Sequence, residues 1–341
     1  MTDLPSRLAE FGRRRPRVVC LPDFFVDHSV ALPPFGQAMK RMRAVHGRGG
    51  GSWVGVRQRY LPGGNAGNAA RGLAALGARA HLIARTDAFG AAFARATLGA
   101  EGVDVSRVRD DGRVGTTTAL EFQPGPTNVM LNEPGSIADF GPEQLRREDR
   151  ELIEGADAVF VGNWAQTGDN GMRLAERVLA WAHAAGALTF LDTSDATALR
   201  KHVPTYRRRV LESRNLDVFA ANDNELRLFG GAGPIPAVGT RLAARLHATL
   251  DVHTPTTSAT WTGQGVHSAP GFKVRPLRST GAGDAWNAGD LVGHLLELEP
   301  ADRLRVANAT AALYISSESG AAPTMRNVAS FLRRRGARSA R

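Results

Sequence analysis

The sequence predicts an α/β fold in which helices cover both faces of a mainly parallel central sheet. Short apolar segments alternate with longer helical segments from residue 142 to the C-terminus, and such alternation is typical of parallel sheets. The 341 residues are 43% hydrophobic and 22% charged, a composition typical of globular proteins with a large core. Because no internal repeat or linker interrupts the pattern, we expect residues 1–341 to form one domain.

The individual elements are predicted from local apolar patterns. The run Arg17–Leu21 predicts a first buried strand. A helix of small residues from about 65 to 76 is expected to end at Gly77. Further strands are predicted at 80–84, 158–162, 187–192 and 216–220, and further helices at 142–153, 171–185, 222–229, 236–250, 285–298, 301–315 and 326–335, with another ending at 98.

Two regions of the N-terminal half break this alternation. Residues 116–122 and 128–132, joined by 124–126, predict a β-hairpin. Residues 28–60 are predicted to be irregular, apart from an exposed strand at 52–60. A connection of this length is typical of a lid or another excursion from the main sheet.

Charge and composition argue against several classes of function. The formal net charge is +10. Almost all of the positively charged residues are arginines, since the only lysines are Lys40, Lys201 and Lys273. Because only 6% of residues are aromatic and no recognition-helix or zinc-finger pattern occurs, we expect the basic surface to attract an anionic small molecule rather than nucleic acid. No apolar run reaches the roughly 18 to 20 residues that span a bilayer, so no membrane partner is expected. The single cysteine, Cys20, indicates a reducing cytoplasm.

The stretch 278–289 predicts a helix start that can bind an anion. Gly281, Ala282 and Gly283 are small, so backbone N–H groups are accessible where the positive end of the helix dipole lies. Asp284 stands in the first turn, where a carboxylate can take a proton from an attacking hydroxyl. This combination suits phosphoryl transfer. The alternative is a glycine-rich turn with Asp284 as an ordinary helix-start residue.

Two other groups of polar residues suit the binding of hydroxyls. Asn65 and Asn68, one helical turn apart after a pair of glycines, can present amides to a ligand that approaches the backbone closely. Close packing of a helix on a sheet would also require such small residues. Asp23 and Asp27 follow the first strand, at the edge where open α/β sheets bind ligands, although aspartates there also satisfy turn amides.

The common nucleotide-binding motifs are not found. A P-loop requires Gly-Lys-Ser/Thr, but no lysine here follows a glycine. The protein-kinase motifs Val-Ala-Ile-Lys, His-Arg-Asp and Asp-Phe-Gly are also missing. Pro22 and Asp23 follow the first strand in place of Gly-x-Gly-x-x-Gly, which argues against a nicotinamide-dependent dehydrogenase.

Two signatures resemble those of one known family, the PfkB or ribokinase-like carbohydrate and nucleoside kinases. Residues 63–70 (Gly-Gly-Asn-Ala-Gly-Asn-Ala-Ala), with Asp-Ala-Phe-Gly at 87–90, resemble its N-terminal signature. Residues 279–286 (Ser-Thr-Gly-Ala-Gly-Asp-Ala-Trp) resemble its C-terminal signature. The resemblance implies a three-layer α/β/α ribokinase-like fold with a small β lid from about 28–62 and 113–136. It also implies ATP-dependent phosphorylation of a sugar, sugar derivative or nucleoside, and homodimers that pair through the lid.

The resemblance further implies a role for each matching residue. The catalytic group, a base with the anion hole for the transferred phosphoryl group, would comprise Asp284, Gly281, Ala282 and Gly283. The residues that contact substrate hydroxyls would be Asp27, Gly64, Asn65 and Asn68. The residues near ATP and Mg²⁺ would be Asn222 and Glu225 of an Asn-x-x-Glu pattern, Thr254, and Asn308 beside the adenine, with Glu225 reaching the metal through a water.

This sequence departs from the family pattern at three places. The family usually has Thr-x-Gly-x-x-Gly at the nucleotide site, but residues 254–259 are Thr-Pro-Thr-Thr-Ser-Ala. Arg278 stands where the family commonly has an Asp that helps to hold a monovalent cation, so we hypothesise that its guanidinium replaces that charge and expect no K⁺ dependence. Pro22 replaces a glycine before Asp23. The altered residues 254–259 and the basic charge motivate a rival hypothesis, a non-catalytic relative that binds a ligand or nucleic acid.

Overall fold

The computed structural model describes residues 4–123 and 127–339. The strands in chain order are β1 (Arg17–Leu21), β2 (Phe25–Leu32), β3 (Arg57–Gly63), β4 (Arg79–Arg85), β5 (Asp104–Arg109), β6 (Gly115–Phe122), β7 (Thr127–Glu133), β8 (Ala158–Val161), β9 (Leu188–Asp192), β10 (Val218–Asn222), β11 (Thr249–His253), β12 (Thr257–Thr262) and β13 (Gly265–Pro270). The helices are α1 (Leu4–Arg14), α2 (Phe35–Gly47), α3 (Asn65–Leu76), α4 (Ala88–Ala94), α5 (Arg147–Glu154), α6 (Trp164–Ala184), α7 (Val203–Tyr206), α8 (Asp223–Gly230), α9 (Ile235–Ala243), α10 (Ala282–Leu295), α11 (Pro300–Ile315) and α12 (Met325–Ser339). Within these residues, no helix is both long enough and apolar enough to cross a membrane.

The central sheet has nine strands in the order β13-β12-β11-β10-β9-β8-β1-β4-β5. The strands from β11 to β5 pair in parallel, whereas β12 and β13 are added antiparallel at one edge. Every residue of β8 is buried, as expected for a parallel strand that is covered on both faces. The prediction of a mainly parallel sheet is confirmed.

Helices on the two faces of this sheet create two separate cores. In β1, Val18 and Cys20 contribute to the core formed with α1, α3, α10, α11 and α12. Val19 and Leu21 contribute to the opposite core, formed with α5 to α9. This alternation follows from the two-residue period of a strand, and it produces the predicted three layers.

A second, four-stranded sheet has the order β3-β2-β6-β7. β2 pairs in parallel with β6, and the β3–β2 and β6–β7 pairs are antiparallel. Helix α2 covers part of one face, where Ala38 packs with Leu32 and Phe122. The predicted hairpin is thus formed by β6 and β7, and its predicted connection at 124–126 lies outside the described residues. We refer to this second sheet as the lid sheet.

The prediction that residues 28–60 are irregular is wrong. β2 and α2 occupy much of this region, and the strand predicted at 52–60 begins at Arg57 and ends at Gly63. Helix α2 has one fully buried residue, Ala38. Its apolar face is therefore too narrow to produce the periodicity that marks a helix in a sequence.

Several other elements differ from the prediction, and the helix predicted at 171–185 begins earlier, at Trp164. The helix predicted at 236–250 ends at Ala243, and strand β11 follows it. This strand was missed because the buried polar residue Asp251 interrupts its apolar run. The helix predicted at 142–153 is a 3₁₀ turn (Pro142–Gln144) followed by α5, with Leu145 extended between them. Strand β5 was missed because its sequence, Asp-Val-Ser-Arg-Val-Arg, is largely polar.

Candidate active site

Five neighbouring strands of the central sheet end in or beside polar residues. His253, Asn222 and Asp192 end β11, β10 and β9. Asn163 and Asp23 follow two residues after the ends of β8 and β1. Because neighbouring parallel strands present their carboxyl ends along one edge of the sheet, these polar groups converge on one region.

Asp23 organises the start of helix α3. Its fully buried carboxylate accepts hydrogen bonds from the backbone N–H groups of Asn65 at 2.6 Å and Ala66 at 2.8 Å. It also accepts one from Asn163 Nδ2 at 2.9 Å. Gly64 adopts φ +89°, and a Cβ there would lie 2.7 Å from Asp23 Oδ2. Asp23 thus satisfies helix-start amides, and the paired glycines allow the close approach that positions α3.

Asp284 lies in the first turn of α10 and is held by two side chains of α3. Asn65 Nδ2 donates to Asp284 Oδ1 at 2.5 Å, and Asn68 Nδ2 donates to Asp284 Oδ2 at 2.9 Å. The structure therefore brings together the two signatures on which the sequence argument depended. Each carboxylate oxygen receives one amide donor, which fixes the orientation of the carboxylate.

Burial raises the pKa of Asp284 well above its ordinary value, and the negative charges of Asp192 and Asp23 raise this pKa further. The hydrogen bonds from Asn68 and Asn65 act in the opposite direction, because they stabilise the ionised form. A carboxylate with a raised pKa is a stronger base than an exposed one. Its pKa is thereby shifted toward the range that suits a general base near neutral pH.

The predicted anion hole is built on a left-handed glycine. Gly281 immediately precedes α10 with φ +79°, and a Cβ on it would lie 2.6 Å from the Tyr314 hydroxyl. The Ala282 N–H donates to the Ser279 carbonyl at 3.1 Å, so a bound anion would compete with this turn hydrogen bond for the N–H. A Cβ on Gly283 would lie 3.3 Å from the His253 ring. At Gly281, both the backbone conformation and the close neighbour require glycine, whereas at Gly283 the His253 ring only leaves little room.

A cavity of about 440 Å³ separates the lid sheet from this edge of the central sheet. The residues that line it are Phe25, Asp27, Gly64, Asn65, Asn68, Thr117, Met130, Asn132, Asn163, Ala165, Gln166, Ser194, Asp195, Thr280, Gly281 and Asp284. The lid sheet also contacts the loop before α10 that carries the predicted anion hole, which we call the anion-hole loop, because Asn128 Nδ2 donates to Thr280 Oγ1 at 3.1 Å. The cavity has the size and the polar lining of a site for a small polar molecule.

Asp27 enters this cavity from the lid sheet. Burial raises its pKa to about 7, Asp23 adds to the rise, and a hydrogen bond with Thr117 opposes it. Gly63 of β3 pairs with Phe25 of β2. A Cβ on Gly63 would lie 2.2 Å from Asp27 Cγ. The first glycine of the signature therefore makes room for this carboxylate, and Pro22 does not prevent it from facing the cavity.

Asn222 and Glu225 form a reciprocal cap at the start of α8. Asn222 Oδ1 accepts from the Glu225 N–H at 3.0 Å, while Glu225 Oε2 and Oε1 accept from the Asn222 N–H at 2.8 Å and its Nδ2 at 2.7 Å. Burial raises the pKa of Glu225, and the charges of Asp192, Asp195 and Asp284 raise it further. Four carboxylates thus affect one another at this edge. A hard divalent cation would relieve their repulsion and prefers oxygen ligands, so these residues fit Mg²⁺.

Thr254 and Asn308, predicted to lie near the nucleotide, are hydrogen-bonded within the protein. Thr254 Oγ1 donates to the Thr257 carbonyl at 2.9 Å and closes the turn between β11 and β12. Asn308 Oδ1 accepts from Trp286 Nε1 at 2.9 Å, and its Nδ2 donates to the Pro270 carbonyl at 3.2 Å. Both residues stabilise the local structure, and their contact with a nucleotide stays a prediction.

A buried ionic network links α10 to α11 and β11. Among the described residues, the carboxylates of Asp251 and Asp290 and the His294 ring are close enough to share an ion. Arg303 of α11 instead donates to Asp251 at 2.5 Å and to Asp290 at 2.7 Å. The guanidinium holds the pKa of Asp251 below its usual range. We assign this cluster to structure, because an arginine already supplies the positive charge that the two carboxylates need.

Sequence reasoning missed several residues of this site. Asp192 accepts a short hydrogen bond from Asn287 Nδ2 and one from the Ser194 N–H at 2.7 Å. Burial lowers the pKa of His253 to about 4, so a neutral imidazole lies beside Gly283. The available signal was the end of each predicted strand. The carboxyl-edge rule was applied to β1 alone, but it also applies to the predicted strands that form β8, β9 and β10.

Comparisons with known proteins show the family of this chain. The model of the pfkB family carbohydrate kinases matches residues 32–326. A protein of Halopiger xanaduensis named ATP-dependent ribose-1-phosphate kinase is 32% identical over 288 residues, which cover 82% of this chain and 88% of that protein.

Two solved structures share the fold. Arabidopsis thaliana ribokinase, complexed with ribose and ATP, has a TM-score of 0.72 and 19% identity, with 93% of this chain and 98% of that chain covered. Adenosine kinase from Sinorhizobium meliloti has a TM-score of 0.74 and 17% identity, with 94% and 99% covered. The protein described here belongs to the pfkB family of carbohydrate kinases.

Proposed function

We propose that this protein transfers the γ-phosphate of ATP to a hydroxyl of a sugar, a sugar derivative or a nucleoside. The observation that carries the proposal is the pair of amide donors on Asp284, which faces a polar cavity with Asp27 on the opposite wall. In this arrangement Asp284 serves as the base at one end of the cavity, and Asp27 accepts hydrogen bonds from substrate hydroxyls at the other end. The anion-hole loop begins beside the base.

In the proposed reaction, Asp284 takes the proton of the acceptor hydroxyl as its oxygen attacks the γ-phosphorus. The new O–P bond forms as the bond to the β-phosphate oxygen breaks, and ADP leaves. Gly281, Ala282 and Gly283 stabilise the transferring phosphoryl group through the helix start. Asn65 and Asn68 keep the base oriented, and the lid sheet keeps water away from ATP.

We further propose that Mg²⁺ accompanies ATP. When bound, it would neutralise the phosphate oxygens. Glu225 would hold it through water, with Asp192 and Asp195 close by and Asn222 fixing the orientation of Glu225. Cys20 is buried in β1 and unpaired, which agrees with a reducing cytoplasm as the place of the reaction.

The direct test is ATP consumption with a panel of pentoses, hexoses, their phosphates and ribonucleosides, in Mg²⁺ and in excess chelator. Turnover with at least one acceptor, lost in the chelator, supports the proposal. Turnover that persists in excess chelator would contradict the proposed role of Mg²⁺. No turnover with any acceptor, together with salt-sensitive binding to nucleic acid, would favour a non-catalytic protein.

The acceptor class can be narrowed, and we propose a pentose that already carries a phosphate. Ser29 pairs with Arg59 and Ala31 with Arg57, so both arginines lie on the same face of the lid sheet as Asp27. Arg59 is one side-chain row beyond Asp27, about 7 Å along the strand. A phosphate on the far side of a sugar held by Asp27 would therefore lie near a guanidinium, which binds phosphate well. The name of the relative with 32% identity agrees with this class.

Replacing Arg59 with alanine should raise KM for ribose 1-phosphate about tenfold or more while leaving KM for ATP unchanged. One charge-assisted hydrogen bond contributes about 1.5–3 kcal/mol, and about 1.4 kcal/mol is a factor of ten. Steady-state kinetics measures both constants. Arg43→Ala is the matched control, because Arg43 is an exposed arginine on α2, on the other side of the lid sheet. Equal KM values for wild type and Arg59→Ala would contradict this acceptor class.

The lid sheet also suits pairing with a second copy of this chain. Tyr60, Val129 and Leu131 are exposed large apolar side chains, and their register places them on the face opposite Asp27. We therefore propose a homodimer formed through this face. Leu131→Arg should convert the dimer to a monomer in sedimentation analysis, because burying an unpaired charge is costly. A wild-type monomer at micromolar concentration, or a dimer unaffected by the substitution, would disprove the pairing.

A further inference from the structure

Arg278 sits beside the anion hole and is held by the end of helix α11. Its Nη2 donates to the carbonyl oxygens of Ser317 at 3.0 Å and Glu318 at 2.9 Å. These carbonyls lie just beyond the C-terminus of α11, where the negative end of the helix dipole favours a cation. The guanidinium also lies 5.8 Å from the centre of the Tyr314 ring, within the range of a cation–π interaction.

The neighbouring backbone is shaped around this guanidinium. Gly320 adopts φ +73°, and a Cβ there would lie 1.9 Å from Arg278 Nη1. A side chain at position 320 would therefore collide with the arginine. The Leu277 N–H also donates to the Ile315 carbonyl at 2.7 Å, which joins the segment before the anion hole to the end of α11.

Tyr314 connects Arg278 to the anion hole. Its hydroxyl lies against Gly281, and a Cβ on that glycine would be 2.6 Å away. Burial raises the pKa of Tyr314, the charge of Asp284 raises it further, and Arg278 opposes the rise. The phenol is therefore close enough to both charged groups to be influenced by each of them.

The surroundings of Arg278 do not fit a bound monovalent cation. Main-chain carbonyl oxygens are the ligands that K⁺ takes in proteins, and here two of them already accept hydrogen bonds from a guanidinium. The fixed positive charge would also repel a second cation. The residue that commonly helps to hold such an ion in this family, an aspartate, is absent at position 278.

We propose that Arg278 is a positioning residue that serves as a covalently attached cation. It joins the end of α11 to the anion-hole loop and makes the proposed phosphoryl transfer independent of monovalent ions. This inference rests on the proposed kinase activity for its kinetic consequence. The structural consequence, that no K⁺ is needed to order the loop, holds whether or not the protein is a kinase.

The test compares wild type, Arg278→Gln and Arg278→Asp in sodium, potassium and N-methylglucamine buffers of equal ionic strength. Wild-type kcat should agree within about twofold in all three. Arg278→Gln should lose about tenfold or more in kcat in every buffer, and added guanidinium ion should restore part of it. Arg278→Asp should gain K⁺-dependent activity and a thermal midpoint that rises with K⁺. Arg275→Gln removes the same charge from an exposed position and should behave as wild type.

Strong K⁺ stimulation of the wild type would overturn the proposal, as would wild-type kcat and thermal midpoint in Arg278→Gln. If neither variant folds, the wild-type comparison decides alone. If wild type turns over no acceptor, the kinase proposal fails instead, and the thermal midpoints still decide. In that case a wild-type midpoint raised by K⁺ but not by sodium would sink the inference, and equal midpoints would support it.

Discussion

Replacing Asp284 with asparagine should lower kcat about 10³-fold while changing KM for ATP and acceptor by less than about threefold. A positioned general base contributes roughly 10² to 10⁴ in rate, and asparagine cannot accept the hydroxyl proton. Its carboxamide has nearly the same shape, so the contacts with Asn65 and Asn68 are partly kept. Initial rates with the best acceptor from the panel measure the effect.

The matched control is Asp302→Asn, which makes the same change in the first turn of the next helix, α11. It should leave kcat unaltered. If Asp284→Asn kept more than a tenth of the wild-type kcat, Asp284 would not be the base, and the second cavity carboxylate, Asp27, would be the next residue to replace.

The raised pKa of Asp284 has consequences for pH dependence. Because the base must be ionised, kcat should fall as the pH drops through a midpoint above the ordinary aspartate value of 3.8. Stability should show the opposite trend: a carboxyl whose pKa is raised by folding stabilises the protein in its neutral form, and this contribution is lost as the pH rises through the raised pKa. The thermal midpoint should therefore decrease less with rising pH in Asp284→Asn than in wild type.

Gly281→Ala should lower kcat about 10²- to 10³-fold, the second largest expected effect. A Cβ at this position faces a left-handed backbone and the Tyr314 hydroxyl at 2.6 Å, so the loop must move. Displacement of anion-hole donors typically costs about this much in kcat. The thermal midpoint should also fall, since strain of this kind costs about 1–3 kcal/mol.

Two comparisons separate strain from collision. Gly102→Ala has the same backbone problem, with φ +91°, but nothing lies within 4 Å, so it should lose stability and keep kcat. Tyr314→Phe in the Gly281→Ala background removes the nearest atom and leaves the next at 3.1 Å, so it should recover part of the rate. A Gly281→Ala variant with kcat within threefold of wild type would show that this loop does not form the anion hole.

The central sheet was predictable because its strands carry their signal locally. Runs such as Arg17–Leu21 lie in the parallel sheet and are covered by helices on both faces, so every residue after Arg17 is apolar and buried. Strands β5 and β11 were missed because charged residues within them are neutralised by partners distant in sequence. Asp251, for example, is paired with Arg303, 52 positions away.

The candidate site was only partly predictable for the same reason. Asp284, Asn65 and Asn68 could be named because short signatures require them, but nothing local shows that the amides hold the carboxylate. Asp192 and Asn163 carry no motif, and their importance appears only when neighbouring strands are aligned. Thr254 and Asn308 were named from the family pattern, and nothing local showed that both also make hydrogen bonds within the protein.

The sequence by itself determined the class of fold, the helix start with its glycines and the candidate base, Asp284. These features depend on residues that are close together in the chain, where backbone conformation and periodicity are the controlling physics. Tertiary structure alone decided which groups meet: Asp23 with the start of α3, the amides with Asp284, and Arg278 with the carbonyls of Ser317 and Glu318. Hydrogen bonding and charge act over a few ångströms in space, whatever the separation along the chain.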